Sequence, residues 1–112
     1  MHLTSLFAAV HAQILWPGPA PAAAEALHVV VADLMSDVLT RDLERPLLLT
    51  SLAMEQAVRT AHVVGAAGVL VANGKTPPEE MVALARKLDV PLARTALATF
   101  DAAVALGRAL GR

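Results

Sequence analysis

The sequence predicts one small α/β domain, with a mostly parallel sheet of about five strands and flanking helices. Three observations predict it. Short apolar runs alternate with segments of helical periodicity. The length of 112 residues suits a single domain with one core, here taken as residues 1–112. Hydrophobic residues make up 56% and charged residues 17%, with a net charge of -1, so a mainly disordered chain is excluded.

The apolar runs predict five strands. Each is short, contains Val, Ile or Leu, and in most cases ends at Gly, Pro, Asn or a charged residue, as in strands buried within a parallel sheet. The runs are Ala12–Trp16, His28–Ala32, Leu47–Thr50, Gly68–Ala72 and Val90–Ala93. Pro91 favours an edge or a strand start because it has no backbone N–H. Pro19–Ala26 is expected to be a Pro/Ala loop.

Helical segments fall before, between and after these strands. We expect helices over Thr4–His11, over Leu34–Thr40, from Thr50 or Ser51 to about Val64, after Thr76, and near the C-terminus. Asp33 is the expected N-cap of the second helix, and Thr50 or Ser51 that of the third. In Thr76-Pro77-Pro78-Glu79, threonine is expected at the N-cap, proline at N1 and glutamate at N3.

The last two helices are expected to be amphipathic. The fourth helix has one apolar stripe at helical spacing, formed by Met81, Leu84, Ala85 and Leu88. The stripe of the fifth helix is Phe100, Ala103, Val104 and Gly107, extended by Leu110.

The composition excludes several classes of protein. A near-neutral charge disfavours nucleic-acid binding driven by phosphate contacts. With no cysteine, the chain has no disulfide, thiolate nucleophile or cysteine-ligated metal. Met1–Ala24 is uncharged but lacks a basic segment and is broken by prolines, so neither a signal peptide nor a membrane span is expected. We expect a cytoplasmic protein, and the mean hydropathy of +0.58 favours an apolar homodimer interface.

Familiar catalytic motifs are missing from the sequence. Gly74-Lys75-Thr76 follows a strand, but a P-loop needs glycine where Val69 stands, so a tight turn is expected there. The four histidines have no metal-binding spacing, and no serine lies in a nucleophile-elbow motif. We therefore predict no catalytic residue, resident metal or cofactor.

One acidic pair leaves two interpretations open. Asp33 and Asp37 are four residues apart, with Ser36 between them. On a helix they share a face and could hold Mg²⁺ together with a ligand. Alternatively, Asp33 is a helix cap and Asp37 is a solvated partner of the helix dipole.

A set of polar residues is expected at one edge of the sheet. The carboxyl ends of parallel strands form the ligand crevice of open α/β folds, and helix N-termini there favour anions. The candidate ligand-binding residues are Asp33, Ser36, Asp37, Thr50, Ser51, Asn73, Gly74, Lys75, Arg94 and Thr95. The ligand expected there is a small anion such as a nucleotide or phosphometabolite. The alternative is an ordinary set of caps and turns.

Four segments in order resemble the DRTGG domain family. They are Val31–Leu39; Leu47–Thr50 followed by Val58–Ala61; Gly68–Pro77; and Val90–Leu92 with Thr95 and Phe100. The resemblance covers about His28–Leu110, and the N-terminal helix and strand also suit the family. The Asp-Arg-Thr-Gly-Gly pentapeptide should fall between Trp16 and His28, where this chain does not have it.

The resemblance implies a fold like the N-terminal domain of HPr kinase/phosphorylase. Such domains accompany phosphotransacetylases and CBS-containing pyrophosphatases, so a regulatory, ligand-sensing role is implied. Stand-alone relatives are labelled serine kinases or hydrogenase-associated proteins, but this chain has neither a P-loop nor a cysteine. The resemblance places any retained family function on Asp33, Ser36 and Asp37 rather than on the Pro17–Leu27 loop.

Three functions follow as hypotheses. The first is a non-catalytic regulatory domain, dimeric, that binds a small anion at the sheet edge. The second is an assembly module that docks on a partner metabolic or redox enzyme without a small-molecule ligand. The third is a small enzyme that uses Asp33 and Asp37 with Mg²⁺, for which no nucleophile is visible.

Overall fold

A computed structural model describes residues 1–20 and 24–112 of the protein. This part of the chain contains five helices, α1 (Leu3–Ala9), α2 (Met35–Leu39), α3 (Glu55–Val64), α4 (Glu79–Leu88) and α5 (Thr99–Ala109). Its strands are β1 (Gln13–Trp16), β2 (His28–Val31), β3 (Pro46–Thr50), β4 (Gly68–Val71) and β5 (Leu92–Arg94). The Pro/Ala loop expected over Pro19–Ala26 includes residues 21–23, which lie outside the described residues.

The strands form one sheet in the order β1-β5-β4-β3-β2. The four strands from β2 to β5 are parallel, while β1 pairs antiparallel with β5. This confirms the predicted α/β class and the mostly parallel sheet. The apolar composition of β3 and β4 has its cause in their position, because both strands are buried along their whole length at the centre of the sheet.

Helices cover both faces of the sheet, so the core has two halves. On one face α2, α3 and α4 pack against alternate strand residues such as Leu48 and Val69. On the other face α1 and α5 pack against the intervening residues, among them Leu47 and Leu70. In the described residues, no helix is long and apolar enough to span a membrane.

Three helix starts differ from the sequence-based expectation. The N-caps of α2, α3 and α4 are Leu34, Met54 and Pro78, and none has a side-chain capping bond. Asp33, Thr50 and Ser51 do not cap helices, because their side chains bond to one another or to the adjacent loop.

The expected Thr76 cap is wrong for a steric reason. A residue that precedes proline is disfavoured in helical geometry, so Pro77 does not form the first turn ahead of Pro78. Pro78 itself is extended, with a ψ of 161°, and α4 begins at Glu79.

The apolar face predicted for the last helix is only partly right, since Ala103 and Leu110 pack against the core but do not form its centre. Ala102 and Leu106 are the fully buried positions of α5, whereas the Phe100 ring is 75% exposed. Pro91 directly precedes β5, which confirms the predicted strand start, but β5 lies inside the sheet between β1 and β4.

Candidate functional site

The carboxyl ends of four parallel strands bring the predicted polar residues to one edge of the sheet. Thr50 is the last residue of β3, and Thr95 directly follows β5. Asp33 and Asn73 each lie two residues beyond the end of a strand, β2 and β4 respectively. The sheet therefore has the edge at which open α/β folds bind ligands.

The Asp33 carboxylate accepts three hydrogen bonds at this edge. Its Oδ1 accepts hydrogen bonds from the Ser51 backbone N–H at 2.7 Å and from the Thr50 hydroxyl at 3.0 Å. Its Oδ2 accepts a bond from the Ser51 hydroxyl at 2.7 Å. These bonds favour the charged form and lower the pKa of Asp33, and the bond from the Ser51 backbone N–H has the largest effect. Asp33 thus ties the loop after β2 to the end of β3.

Two basic side chains continue this network towards β1. The Lys75 ammonium donates to the Ser51 carbonyl at 2.9 Å. The Arg94 guanidinium donates to the carbonyls of Lys75 at 3.1 Å and Gly74 at 2.9 Å, and to the Gln13 side chain at 3.3 Å. We call the five side chains of Asp33, Ser51, Lys75, Arg94 and Gln13, with the backbone that they bridge, the edge network.

The Asn73–Lys75 segment is a tight turn, as predicted. Asn73 and Gly74 have φ angles of 66° and 68°, a left-handed pair that suits asparagine and glycine. All three N–H groups of the turn donate to backbone carbonyls, at 2.8 Å for Asn73, 3.0 Å for Gly74 and 3.4 Å for Lys75. Since no N–H group of this turn is left to cradle phosphate, a P-loop function is excluded here.

Two other predicted residues are engaged inside the fold. The buried Thr95 hydroxyl donates to the Val10 carbonyl at 2.7 Å and accepts a bond from the Leu97 N–H. The Asn73 side chain bonds to both the N–H and the hydroxyl of Thr99 at 3.1 Å. Asn73 therefore joins the β4–α4 turn to the first residue of α5.

Ser36 and Asp37 are not part of the edge network. Both lie exposed on α2, and in the described part of the chain neither side chain has a hydrogen-bond partner. No cluster of three metal-ligating side chains is present in residues 1–20 and 24–112. Asp33 and Asp37 are thus in different surroundings, one bonded and one free in solvent.

Charge at this edge is mixed. Each of α2 to α5 carries at least one acidic residue in its first turn, which meets the partial positive charge of its own N-terminus. These acidic residues therefore offset part of the positive potential that the helix N-termini would present to an anion. The cationic group most open to a ligand is Lys75, an exposed ammonium that uses one of its three donors in the Ser51 contact.

A neighbouring cavity of about 360 Å³ lies between the start of α3 and the start of α4. None of the predicted site residues lines it. Its walls are Ala53, Met54, Glu55, Gln56, Arg59, Pro78 and Glu80. The Arg59 guanidinium lies 3.4 Å from the Glu55 carboxylate one turn away, so the charge of that arginine is already paired.

Some residues at this edge were not predicted. Gln13 reaches Arg94 because the two residues are paired across β1 and β5, which are far apart in sequence. Thr99 is placed by Asn73 in the same long-range manner. Neither partner could be identified without the order of strands in the sheet. Leu34 and Phe100 were predicted to lie in helices, and nothing in the sequence indicated that their side chains would be exposed.

Comparison with known proteins shows a shared fold. No protein-family model matches the chain, and no curated protein matches it. Among solved structures, it is similar to the CBS and DRTGG domains of the regulatory region of Clostridium perfringens pyrophosphatase, complexed with an activator, diadenosine tetraphosphate. The TM-score is 0.75 at 17% identity, over 93% of this chain and 45% of that chain.

The similarity agrees with the resemblance to DRTGG domains seen in the sequence. At 17% identity it establishes the α/β fold and does not transfer a function. The chain spans less than half the length of the structure that it matches. That structure is a regulatory region rather than a catalytic one.

Proposed function

We propose that this chain is a non-catalytic regulatory domain that senses a small anionic ligand, a nucleotide or a phosphometabolite, at the carboxyl edge of the sheet. The observation that carries the proposal is the edge network, which bridges the ends of the four parallel strands β2 to β5 through Asp33, Lys75 and Arg94. The nucleotide activator bound by the structural neighbour's regulatory region supports the ligand class. We further propose that the domain is a cytoplasmic homodimer.

The edge network offers a physical route from binding to regulation. A phosphate that binds Lys75 competes with the Ser51 carbonyl for the ammonium, and charged acceptors form the stronger hydrogen bonds. Ser51 is also bonded to Asp33, so a shift of Lys75 alters the contact between the β2 and β3 loops.

A thermal-shift screen tests the proposal. The purified protein is heated with nucleotides, diadenosine tetraphosphate, acyl phosphates and phosphorylated metabolites, each with and without Mg²⁺. A ligand at about 100 times its Kd adds about 2.7 kcal/mol to the free energy of unfolding. For a domain of this size we expect a rise in Tm of several degrees.

Two lysines provide a matched control for the site. Lys75→Ala removes the exposed ammonium of the edge network, while Lys87→Ala removes a comparable charge in the last turn of α4. We expect the first variant to lose the ligand-induced shift and the second to keep it. Equal shifts in both variants would refute the site, and no shift with any compound would refute the ligand class.

The alternative function is a docking module for a metabolic or redox enzyme, with no small-molecule ligand. It is favoured by the exposure of large apolar side chains on the loop after β2 and in the first turn of α5. Leu34 is 63% exposed and Phe100 is 75% exposed. This function predicts that Leu34→Ser or Phe100→Ser abolishes binding to the partner enzyme, whereas Lys75→Ala leaves it unchanged.

A further inference from the structure

The two outer strands of the sheet, β1 and β2, are protected against further strand pairing to different degrees. At one edge, β1 has a register irregularity between Ile14 and Trp16 and is followed by Pro17, two features that oppose further strand pairing. At the other edge, β2 pairs with β3 in unbroken register. Strand β2 has the sequence His-Val-Val-Val, with no proline and no lysine. Strand β2 thus has neither the irregular register nor the proline that protects β1.

The backbone of β2 has hydrogen-bonding groups that point outward. The Ala32 N–H donates to the Leu49 carbonyl at 3.1 Å, so even-numbered residues face β3. In a parallel ladder alternate residues point to opposite sides, so the N–H and carbonyl groups of Val29 and Val31 face away from β3. An extended strand of another chain can pair all four of these groups at once.

We propose that a second copy of this chain pairs antiparallel along β2, with Val29 of each copy opposite Val31 of the other. A closed two-fold dimer requires antiparallel pairing of identical strands. With Val30 on the axis, the outward groups of Val29 and Val31 are satisfied in both copies. This inference deepens the dimeric part of the proposed function and does not depend on the ligand.

The side chains along this edge suit such an interface. Val29 and Val31 share one face of the sheet, and Val31 is 49% exposed there. In the proposed register, Val31 of each copy covers Val29 of the other, as cross-strand pairs do in antiparallel sheets. Leu27, which directly precedes the strand, is a further apolar side chain that is exposed.

The centre of the interface contains no like-charge clash, because no charged residue occurs between Ala26 and Ala32. The Arg112 guanidinium lies 3.4 Å from the Leu27 carbonyl, just outside the strand residues that pair in the proposed register.

The oligomeric state tests the interface. We expect the purified 112-residue chain to sediment at twice its 11.6 kDa mass at micromolar concentration. Val31→Lys places two ammonium groups beside the axis and should raise the dimer Kd at least about a hundredfold. Val63→Lys, at a 72% exposed position on α3, is the matched control and should leave the dimer intact. Retention of secondary structure by circular dichroism shows that both variants fold.

Spin labels test the register, since the chain has no cysteine to compete with an introduced one. For Leu27→Cys, the proposed pairing puts the two labelled Cα atoms about 21 Å apart, from six strand residues and one strand spacing. Pairing slipped by one bonded pair gives about 15 or 28 Å.

The outcomes separate the interface from the proposed function. A dimer that survives Val31→Lys, or a distance far from 21 Å, overturns the β2 interface and leaves the dimeric proposal standing. A monomer at all concentrations overturns both, whether or not β2 pairs with a strand of another protein. Neither outcome bears on the thermal-shift screen.

Discussion

Replacing Asp33 by alanine removes the acceptor of three hydrogen bonds at once. The Ser51 N–H and hydroxyl can turn to water, because Ser51 is only half-buried. The Thr50 hydroxyl is fully buried and loses its partner, although its oxygen still accepts from the Leu52 N–H. Since a typical net hydrogen bond contributes about 0.5–1.5 kcal/mol, and the exposed ones less, we expect a loss of about 2 kcal/mol.

Urea and thermal unfolding measure this loss. A decrease of about 2 kcal/mol corresponds to a fall in Tm of about 10 °C for a domain of this size. Asp33→Asn keeps one carbonyl oxygen as an acceptor, so we expect about half the effect. Asp37→Ala is the matched control because that exposed carboxylate has no hydrogen-bond partner in the described residues, and its cost should be below about 0.5 kcal/mol.

The pH dependence has a definite sign. The hydrogen bonds from Ser51 lower the pKa of Asp33 in the folded protein below the ordinary value of 3.8. The stabilisation is therefore fully present above pH 3.8 and is lost as the pH falls through the lower, folded-state pKa. The difference in the free energy of unfolding between wild type and Asp33→Ala should be constant near neutral pH and shrink in acid. A difference that widens in acid, or an Asp37→Ala variant as unstable as Asp33→Ala, would refute the reasoning.

Two further comparisons test the packing around the sheet. Gly68→Ala should destabilise the protein, because an added Cβ would lie 3.1 Å from the Pro91 carbonyl oxygen. Gly107→Ala should stabilise the protein by about 0.5–1 kcal/mol, because alanine is the better helix former and the added Cβ meets nothing within 4 Å in α5. Relative to the wild type, we expect the denaturant midpoint to fall for Gly68→Ala and to rise for Gly107→Ala. Equal midpoints for the two variants would contradict the tight approach at Gly68. Leu106→Ala should cost about 2–5 kcal/mol, while Phe100→Ala should be near neutral by calorimetry, because their exposures are 0% and 75%. Similar costs would mean that the apolar face of α5 includes Phe100.

The sheet could be predicted because its strands are buried on both faces. In Leu47–Thr50 and Gly68–Val71 nearly every residue is apolar, and a short apolar run between turn signals has few other structures open to it. The parallel class follows from helices of sufficient length between the strands. The antiparallel pairing of β1 does not follow, since nothing in Gln13–Trp16 specifies the neighbour β5.

Helix starts were harder to predict because capping residues have competing partners. The Asp33 carboxylate fits an N-cap equally well by residue type, yet it bonds to Ser51, 18 residues away. That partner becomes available only when β2 and β3 are paired. The same reason hides the contact between Arg94 and Gln13, which are 81 residues apart. Residue types could be assigned to the sheet edge, but their bonds depend on tertiary structure.

Within the edge network, Asp33 and Lys75 should contribute differently to the stability of the fold and to the binding of a ligand. Asp33 is fully engaged as an acceptor within the fold, so its loss should lower the free energy of unfolding before it affects any ligand. Lys75 makes one exposed bond, to the Ser51 carbonyl, and has two donors left. Its loss should cost little stability and remove the charge that an anion needs. If the domain senses a phosphate-bearing ligand, Lys75→Ala must therefore reduce affinity in a protein that unfolds almost as the wild type does. Because Ser51 contacts both side chains, Asp33→Asn should then change affinity as well, through the position of the Ser51 carbonyl. An affinity that responds to Lys75 and not to Asp33 would mean that the anion site stops at the turn after β4 and that the loop after β3 does not transmit its occupancy.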